Sequence, residues 1–333
     1  PLSVTGVSGG SGTYTYQWES SPDNNSWAII NGAINPSYSP GNLTATTYYH
    51  VTVVSNGVSL NSGVATITVY PQLLVGNLSS PSQVLNYGTL PATLTSTSIN
   101  GGNGSYSYQW QSSPDNSAWS DISGETASAY APTGTVGTAY YRLVVTSNGV
   151  PVNSNSASVL VYPPIQAGSV SPARQIINYN TAPATLNLSG VSGGNGQYSY
   201  QWQSSPDSAN WNDINRATST TYIPSQLKTS NYSRVAVTSN GTVVYSNGSP
   251  INVNPQLTPG TINPSYVTIT SGTSPGGLTT TLAKGGGCGG SYSYQWQSST
   301  DGINFTNISG ITSQNYLPGN LTANIWYRRM VSC

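Results

Sequence analysis

Short segments of the chain alternate between apolar and polar residues. Residues 106–111 read YSYQWQ, in which three aromatic residues are separated by polar ones, and residues 141–146 read YRLVVT with a similar alternation. A period of two residues is that of a β-strand with one apolar face. No stretch of the chain shows the sustained spacing of an amphipathic helix. The pattern therefore predicts an all-β protein.

Turn signals separate these strands. Ser113-Pro114-Asp115-Asn116 follows the first of them and has Pro and Asp where a type I turn prefers them. Asn-Gly follows the second at residues 148–149 and recurs at residues 56–57 and 240–241. This dipeptide favours two-residue hairpins because both of its residues readily take positive φ. About seven short strands with a Trp in a central strand are typical of an Ig-like β-sandwich.

The same pattern occurs four times. The strings YTYQW or YSYQW end at Trp18, Trp110, Trp202 and Trp296, which are 92, 92 and 94 residues apart. Each Trp is followed five residues later by Asp, nine later by a second aromatic residue and twenty later by Tyr. A period of this length is that of small independent domains rather than of a solenoid. We expect the four Trp residues to be the core anchors of four tandem Ig-like domains.

The domain boundaries follow from this period. Repeat 1 covers residues 1–70, repeat 2 covers 71–162, repeat 3 covers 163–254 and repeat 4 covers 255–333. Compared with repeats 2 and 3, repeat 1 lacks its leading strand and repeat 4 lacks its closing strand. We expect flanking sequence to supply these strands, with a neighbouring subunit as the alternative. The junctions contain Pro and no Gly/Ser-rich linker, so the domains are expected to stack end to end as a semi-rigid rod.

A family resemblance extends over essentially the whole chain. The string YSYQWQSSPDNSAW and the later segments YYR and VTSNG resemble the tandem Ig-like/PKD-like repeats of very large secreted surface proteins of Bacteroidota. That group includes adhesins of the gliding-motility type and cell-surface filament proteins. The resemblance implies an extracellular protein displayed on the cell surface, in which such modules usually act as stalk or spacer.

Composition narrows the possible functions. Charged residues make up 5% of the chain, and eight Lys and Arg balance eight Asp and Glu. Eight cations are too few for the basic surface that nucleic-acid binding requires. The chain contains no apolar run of about 18 residues that would predict a membrane-spanning helix. The 10% of aromatic residues argues for a folded chain rather than a disordered one.

Cys288 and Cys333 are the only cysteines. They lie eight residues before and 37 residues after Trp296, near the ends of two strands that we expect to be antiparallel neighbours. A disulfide between them is therefore expected, and it fits an oxidising extracellular setting. At the same offsets the other repeats have Gly and Ser, such as Gly102 and Ser147, so the bridge is predicted in repeat 4 alone.

The second aromatic residue of each repeat allows two interpretations. These residues are Trp27, Trp119, Trp211 and Phe305. They form either a row of platforms for sugar rings or a cover at the edge of each domain's own core, and we favour the cover. The outer faces of the two central strands carry a polar stripe, which we expect to be solvated rather than to bind a ligand. It consists of Gln17, Glu19, Gln109, Gln111, Gln201, Gln203, Gln295 and Gln297 beside His50, Arg142, Arg234 and Arg328.

Little in the sequence points to catalysis or to a cofactor. A single His removes most acid–base and triad schemes, and one His with two distant Cys does not build a zinc site. We therefore expect no enzyme activity, no cofactor and no metal. The expected function is that of a structural spacer in an extracellular adhesin or filament. A carbohydrate- or surface-binding module and a self-assembling filament subunit are the alternatives, with adjacent repeats, lateral copies or surface glycans as partners.

Overall fold

The structure, a computed structural model, describes residues 1–333 and contains only strands, turns and irregular segments. The prediction of an all-β chain is confirmed. The chain has no helix, so it has no helix that is long and apolar enough to cross a membrane. It divides into two compact units, Pro1–Val161 and Tyr162–Cys333.

The first unit contains the strands of repeats 1 and 2. Those of repeat 1 are β1 (Leu2–Ser3), β2 (Thr15–Ser21), β3 (Ala28–Ile29), β4 (Ser37–Tyr38), β5 (Thr47–Ser55), β6 (Val58–Asn61) and β7 (Ala65–Ile67). Those of repeat 2 are β8 (Leu74–Val75), β9 (Ser82–Leu85), β10 (Leu94–Thr95), β11 (Ile99–Asn100), β12 (Ser107–Ser113), β13 (Ser120–Asp121), β14 (Ala129–Tyr130), β15 (Gly137–Ser147), β16 (Val150–Asn153) and β17 (Ala157–Val161).

The second unit contains the strands of repeats 3 and 4. Those of repeat 3 are β18 (Ser169–Ser171), β19 (Gln175–Ile177), β20 (Leu186–Ser189), β21 (Ser199–Ser205), β22 (Asn212–Asp213), β23 (Thr221–Tyr222), β24 (Asn231–Ser239), β25 (Thr242–Tyr245) and β26 (Ser249–Val253). Those of repeat 4 are β27 (Ile262–Asn263), β28 (Thr279–Thr280), β29 (Ser293–Ser299), β30 (Thr306–Asn307) and β31 (Trp326–Ser332).

Repeats 2 and 3 have the two sheets of an Ig-like sandwich. In repeat 2 one sheet has the order β13–β12–β15–β17–β9, with β16 also paired to β15. The opposite side pairs β8 with β11 and β10 with β14. Repeat 3 has the corresponding orders β22–β21–β24–β26–β19, with β25 on β24, and β18–β20–β23. Because the Trp strand is central in one of two facing sheets, the fold is Ig-like.

Repeats 1 and 4 have the same central pairing with fewer strands. In repeat 1 the Trp strand β2 pairs with β3 and β5, β5 also pairs with β6 and β7, and β1 pairs with β4. In repeat 4 the sheet is β30–β29–β31, and β27 pairs with β28. The outer edge of β31 therefore carries no neighbouring strand, whereas β15 and β24 are paired on both edges.

The hairpins after strands β5, β15 and β24 turn at Asn-Gly as the sequence predicts. Asn148 and Gly149 have φ values of 49° and 78°, and the other two pairs are similar. These positive angles suit Gly and are tolerated by Asn, which is why this dipeptide favours tight hairpins.

The Trp of the central strand lies at the centre of each core. Trp110, Trp202 and Trp296 are fully buried, and Trp18 is 3% exposed. Each indole N–H donates to the backbone carbonyl seventeen residues later, at 2.9 to 3.0 Å. The Tyr twenty residues later lies against the indole, with ring centroids 5.4 to 6.0 Å apart. The indole thus packs its rings in the core while its one donor is satisfied.

The Gln before each Trp forms hydrogen bonds to the segment that contains the next short strand, which is β13 in repeat 2. In repeat 2, Gln109 Nε2 donates to the carbonyls of Trp110 and Ile122, both at 2.9 Å. The same two bonds are made by Gln17, Gln201 and Gln295. The strands β12 and β13 pair over only two residues. The hydrogen bonds of the Gln side chain therefore add to the few backbone hydrogen bonds that join these two strands.

Repeat 4 differs from the others at one core position. The residue opposite the Trp on the neighbouring strand is Val51, Leu143 or Val235 in repeats 1 to 3, and Arg329 in repeat 4. All four side chains are buried. Arg329 donates from Nη1 to Thr280 Oγ1 and the Gln314 carbonyl, and from Nη2 to the carbonyls of Pro259 and Thr281. Sequence analysis assigned no role to this arginine.

Candidate functional site

The outer face of the Trp-strand sheet carries the same arrangement in three repeats. The guanidinium carbon of Arg142 lies 4.4 Å from the ring centroid of Trp119. The corresponding distances are 4.2 Å for Arg234 over Trp211 and 4.1 Å for Arg328 over Phe305. We call each of these pairs an aromatic–arginine stack. Such a contact is attractive because the ring face is electron-rich.

A glutamine holds each of these guanidinium groups from a second side. Arg142 Nε donates to Gln111 Oε1 at 2.7 Å, and Gln111 Nε2 donates to Asp121 Oδ1 at 2.8 Å. The equivalent chains are Arg234–Gln203–Asp213 and Arg328–Gln297–Asn307. Because the three residues are directly opposite one another in the ladder, the polar stripe crosses three adjacent strands.

The favoured interpretation of the second aromatic residue is wrong. Trp27, Trp119, Trp211 and Phe305 are half-buried, and none of the three Trp belongs to a core cluster. Each ring lies on the outer face of the sheet, with a strand neighbour stacked on it. The rings are therefore neither covers of the core nor bare platforms. Their position could not be read from the sequence because the turn before β13 decides which way Trp119 points.

Repeat 1 has a variant of this stack. His50 lies on Trp27 with ring centroids 3.9 Å apart. Its Nε2 is 2.8 Å from Glu19 Oε2, and Glu19 occupies the position of Gln111. This contact is the one ion pair of the chain when His50 is protonated. The imidazole of repeat 1 is thus already matched with a carboxylate.

The Asp that recurs five residues after each Trp caps its own turn. Asp115 Oδ1 accepts hydrogen bonds from the N–H groups of Ala118 and Ser117, both at 2.9 Å, and from Ser113 Oγ. The Ala118 and Ser117 N–H groups and the Ser113 hydroxyl hold the pKa of this carboxyl well below its usual range. The pKa values of Asp23, Asp207 and Asp301 are lowered in the same way, with the Ser299 hydroxyl contributing most at Asp301. These carboxylates stabilise turns, as expected.

Cys288 and Cys333 form the expected disulfide, with their Cα atoms 5.6 Å apart. Cys288 has the same sequence offset from its Trp as Gly102 but a different place in the fold. Gly102 N–H donates to the Pro71 carbonyl, and in repeat 4 the same bond runs from Gly286 to Pro255. Gly286 is therefore the counterpart of Gly102. Cys288 lies two residues further on, in the enlargement that makes the last Trp spacing 94 rather than 92 residues.

The junction between repeats 3 and 4 is held by backbone hydrogen bonds from both sides. Asn254 N–H donates to the Ile177 carbonyl of repeat 3, and the Pro255 carbonyl accepts from Gly286 of repeat 4, both at 2.8 Å. Asn254 Nδ2 also donates to Asn178 Oδ1 at 2.9 Å. A side chain at Gly287 would displace the Asn254 amide, whose atoms lie 2.2 to 3.0 Å from the position that a Cβ would take. Consecutive residues of the chain are thus bound to different domains.

Repeat 1 contains a concave feature. A cleft of about 250 Å³ in repeat 1 is lined by Leu2, Val4, Trp18 and Val51, among others. In repeat 2 the corresponding position is filled by Leu78, whose N–H donates to Asn155 Oδ1 at 2.7 Å. No three His, Cys, Asp or Glu side chains come together in a group that could hold a metal ion.

One family model matches the chain four times, over residues 1–71, 75–163, 166–255 and 258–333. The chain belongs to the family described as Domain of unknown function (DUF8696). It is thus a repeat protein of Ig-like domains.

Comparison with curated proteins gives no match. Among 226 solved chains that match is one described as "Tandem Ig repeats of Dlar", at 13% identity and a TM-score of 0.22, covering 56% of this chain and 99% of that one. The Ig-like fold is shown by the strand order of repeats 2 and 3.

Proposed function

We propose that the chain is a non-catalytic spacer segment of an extracellular surface protein, in which neighbouring Ig-like repeats are joined without a flexible linker. The observation that carries the proposal is the junction of repeats 3 and 4. Asn254 is bound to repeat 3 and Pro255 to repeat 4, so no residue between them is free to act as a hinge. A spacer keeps its reach only if its joints resist bending, and a junction of this kind lacks the flexible linker that bending requires.

Two features support the extracellular location in this proposal. Disulfides such as Cys288–Cys333 are typical of oxidising compartments. The resemblance of the repeat motif to surface adhesins and filament proteins of Bacteroidota supports display on the cell surface, with the adjacent repeats of the chain as its partners. Antibodies against the chain are expected to label intact producing cells. Labelling that requires lysis would reject the location.

The stiffness of the junction can be measured in the full chain. Spin labels at Ile223 in repeat 3 and Ile303 in repeat 4, both strongly exposed and attached without cysteine chemistry, report the distance between the two repeats. We expect a single narrow distance distribution. Insertion of six Gly/Ser residues between Asn254 and Pro255 is expected to broaden it several-fold, because the two sets of junction bonds then become independent.

A matched control separates stiffness from a general effect of insertion. The same six residues placed in the exposed hairpin turn after Gly241 are expected to leave the distribution narrow. If the unaltered chain already gives a distribution as broad as that of the junction insertion, the spacer proposal is rejected.

A further inference from the structure

Three guanidinium groups on the outer faces of repeats 2, 3 and 4 have no counter-ion. Arg142, Arg234 and Arg328 each use Nε for a hydrogen bond to a glutamine, at 2.6 to 2.8 Å. Their Nη1 and Nη2 atoms have no hydrogen-bond or ion-pair partner in the chain. All three side chains are at least partly exposed to solvent. Repeats 2, 3 and 4 thus each present one stacked guanidinium with its two terminal nitrogens available.

These groups are held in fixed orientations. The aromatic ring supports one face of each guanidinium, and the glutamine fixes its Nε edge. In repeat 3 the group lies between two rings, 4.2 Å from the centroid of Trp211 and 4.0 Å from that of Tyr245. A guanidinium ordered before binding loses less entropy when it forms paired hydrogen bonds to a carboxylate. The arrangement therefore favours a planar anion.

The chain itself has few carboxylates without a hydrogen-bond partner that could pair with these three arginines. Of its eight carboxylates, seven already accept hydrogen bonds within their own repeat, and these are Glu19, Asp23, Asp115, Asp121, Asp207, Asp213 and Asp301. A second copy of the chain is for this reason a poor source of counter-ions.

We propose that Arg142, Arg234 and Arg328 bind the carboxylates of an acidic polysaccharide, one uronic-acid unit at each repeat. A polyuronate fits because it presents a carboxylate on every sugar, so one polymer can supply a carboxylate to more than one repeat. Recognition of acidic peptides generally uses clusters of Arg, whereas here each repeat has a single stack. The neighbouring Gln side chains and the half-buried rings provide neutral hydrogen-bonding and apolar surface of the kind that sugars contact.

The sites of repeats 3 and 4, which belong to one compact unit, can act together on a polymer. Once one carboxylate is bound, the next site meets the polymer at a raised effective concentration, so the affinity of the chain exceeds that of any single repeat. Repeat 1 serves as an internal reference, because Glu19 already faces the imidazole of His50. This proposal goes beyond the spacer role and does not depend on junction stiffness, so either can fail without the other.

The test is calorimetric titration of the full chain with polygalacturonate at neutral pH and low salt. We expect saturable binding that weakens as salt is added, because charge contacts are screened. The triple variant R142Q/R234Q/R328Q is expected to bind at least tenfold more weakly. Replacing the same three residues by Lys keeps the charge but loses the planar fork, and an intermediate affinity is expected. The variant His50→Gln is the matched control and is expected to leave the affinity unchanged.

Several results would overturn the proposal. Unchanged affinity in the triple Gln variant, with its repeats folded as judged by hydrogen exchange, would show that the three arginines do not bind the polymer. The absence of binding to polygalacturonate, or equal binding to neutral dextran, would show that the chain does not recognise the carboxylate. Equal affinity for poly-glutamate would show that the chain selects carboxylates without regard to sugar and would reject the polysaccharide assignment.

Discussion

Repeats 3 and 4 share the same buried Trp, the same turn cap and the same aromatic–arginine stack, but their cores differ beside the Trp. Val235 lies opposite Trp202 and is fully buried, whereas Arg329 lies opposite Trp296 and is 8% exposed. The facing sheet changes together with it. Leu188 of repeat 3 is buried, and its counterpart Thr280 supplies a hydroxyl oxygen to Arg329.

The comparison shows how an Ig-like core can accept a cation. Arg329 has no carboxylate partner, and neutral oxygens of the facing sheet and the Tyr294 ring, 4.5 Å away, surround it instead. Its Nε remains without a hydrogen bond, and burial lowers its pKa. The charge is tolerated because its terminal nitrogens reach several acceptors, while the frame around the Trp is unchanged.

Moving the arginine to repeat 3 is expected to have the largest effect. Val235→Arg places a cation opposite Leu188, where no hydroxyl is available, and should destabilise repeat 3 by about 4 kcal/mol or more. Hydrogen exchange followed by mass spectrometry resolves repeat 3 from the others in the intact chain. The amides of β21 and β24 are expected to lose protection while those of repeat 2 keep theirs.

Two variants sharpen this test. Val235→Arg combined with Leu188→Thr is expected to be less destabilised than the sum of the single changes, by about 1 kcal/mol, because the hydroxyl then accepts from the guanidinium. Arg329→Met keeps the length of the side chain and removes its charge, and it is expected to change the stability of repeat 4 by less than about 1.5 kcal/mol. Additive single changes would contradict the coupling between these positions.

The disulfide is the second difference between the two repeats, and its loss should have the next largest effect. Cys288 and Cys333 are 45 residues apart, and closing a loop of this length stabilises a domain by about 3–4 kcal/mol in the chain-entropy model. The double change of Cys288 and Cys333 to Ser should therefore lower protection in repeat 4, with repeat 3 as the control in the same sample. An equal loss in both repeats would show that the bond does not act locally.

The turn caps predict a smaller effect that is common to both repeats. Because the Asp207 pKa is lowered by folding, the unfolded chain takes up its proton first as the pH falls. The contribution to stability is present above about pH 4 and is lost progressively below it, towards the folded-state pKa. Asp207→Asn should reduce the acid sensitivity of repeat 3 in urea unfolding between pH 5 and 3. Repeat 4, which keeps Asp301, should remain acid-sensitive, and an unchanged pH profile in repeat 3 would refute the role of the cap.

Much of the fold follows from local pattern. Alternation around Trp110, the Asn148-Gly149 turn and the Asp115 cap are each decided by a few neighbouring residues, since side-chain period and turn geometry are local properties. Only the disulfide partner of Cys288 required reasoning across strands, and it was found because the chain has just two cysteines.

The candidate site was found only in part. The sequence placed Gln111 and Arg142 on one outer face, because both alternate with buried residues. It did not show that Trp119 lies beneath the guanidinium, because that depends on how the turn between β12 and β13 closes. The Gly287–Asn254 contact was also missed, since it joins the end of one repeat to a loop of the next.

The sequence by itself determined that this protein is a series of all-β domains of about 92 residues, each built around one Trp, because periodicity and turn chemistry act over short distances along the chain. Tertiary structure alone decided which oxygens and rings surround the inward-facing Arg329, and that Arg142 is left without a counter-ion. Such properties depend on which oxygens and rings surround a charge in space, and residues far apart in the chain supply them.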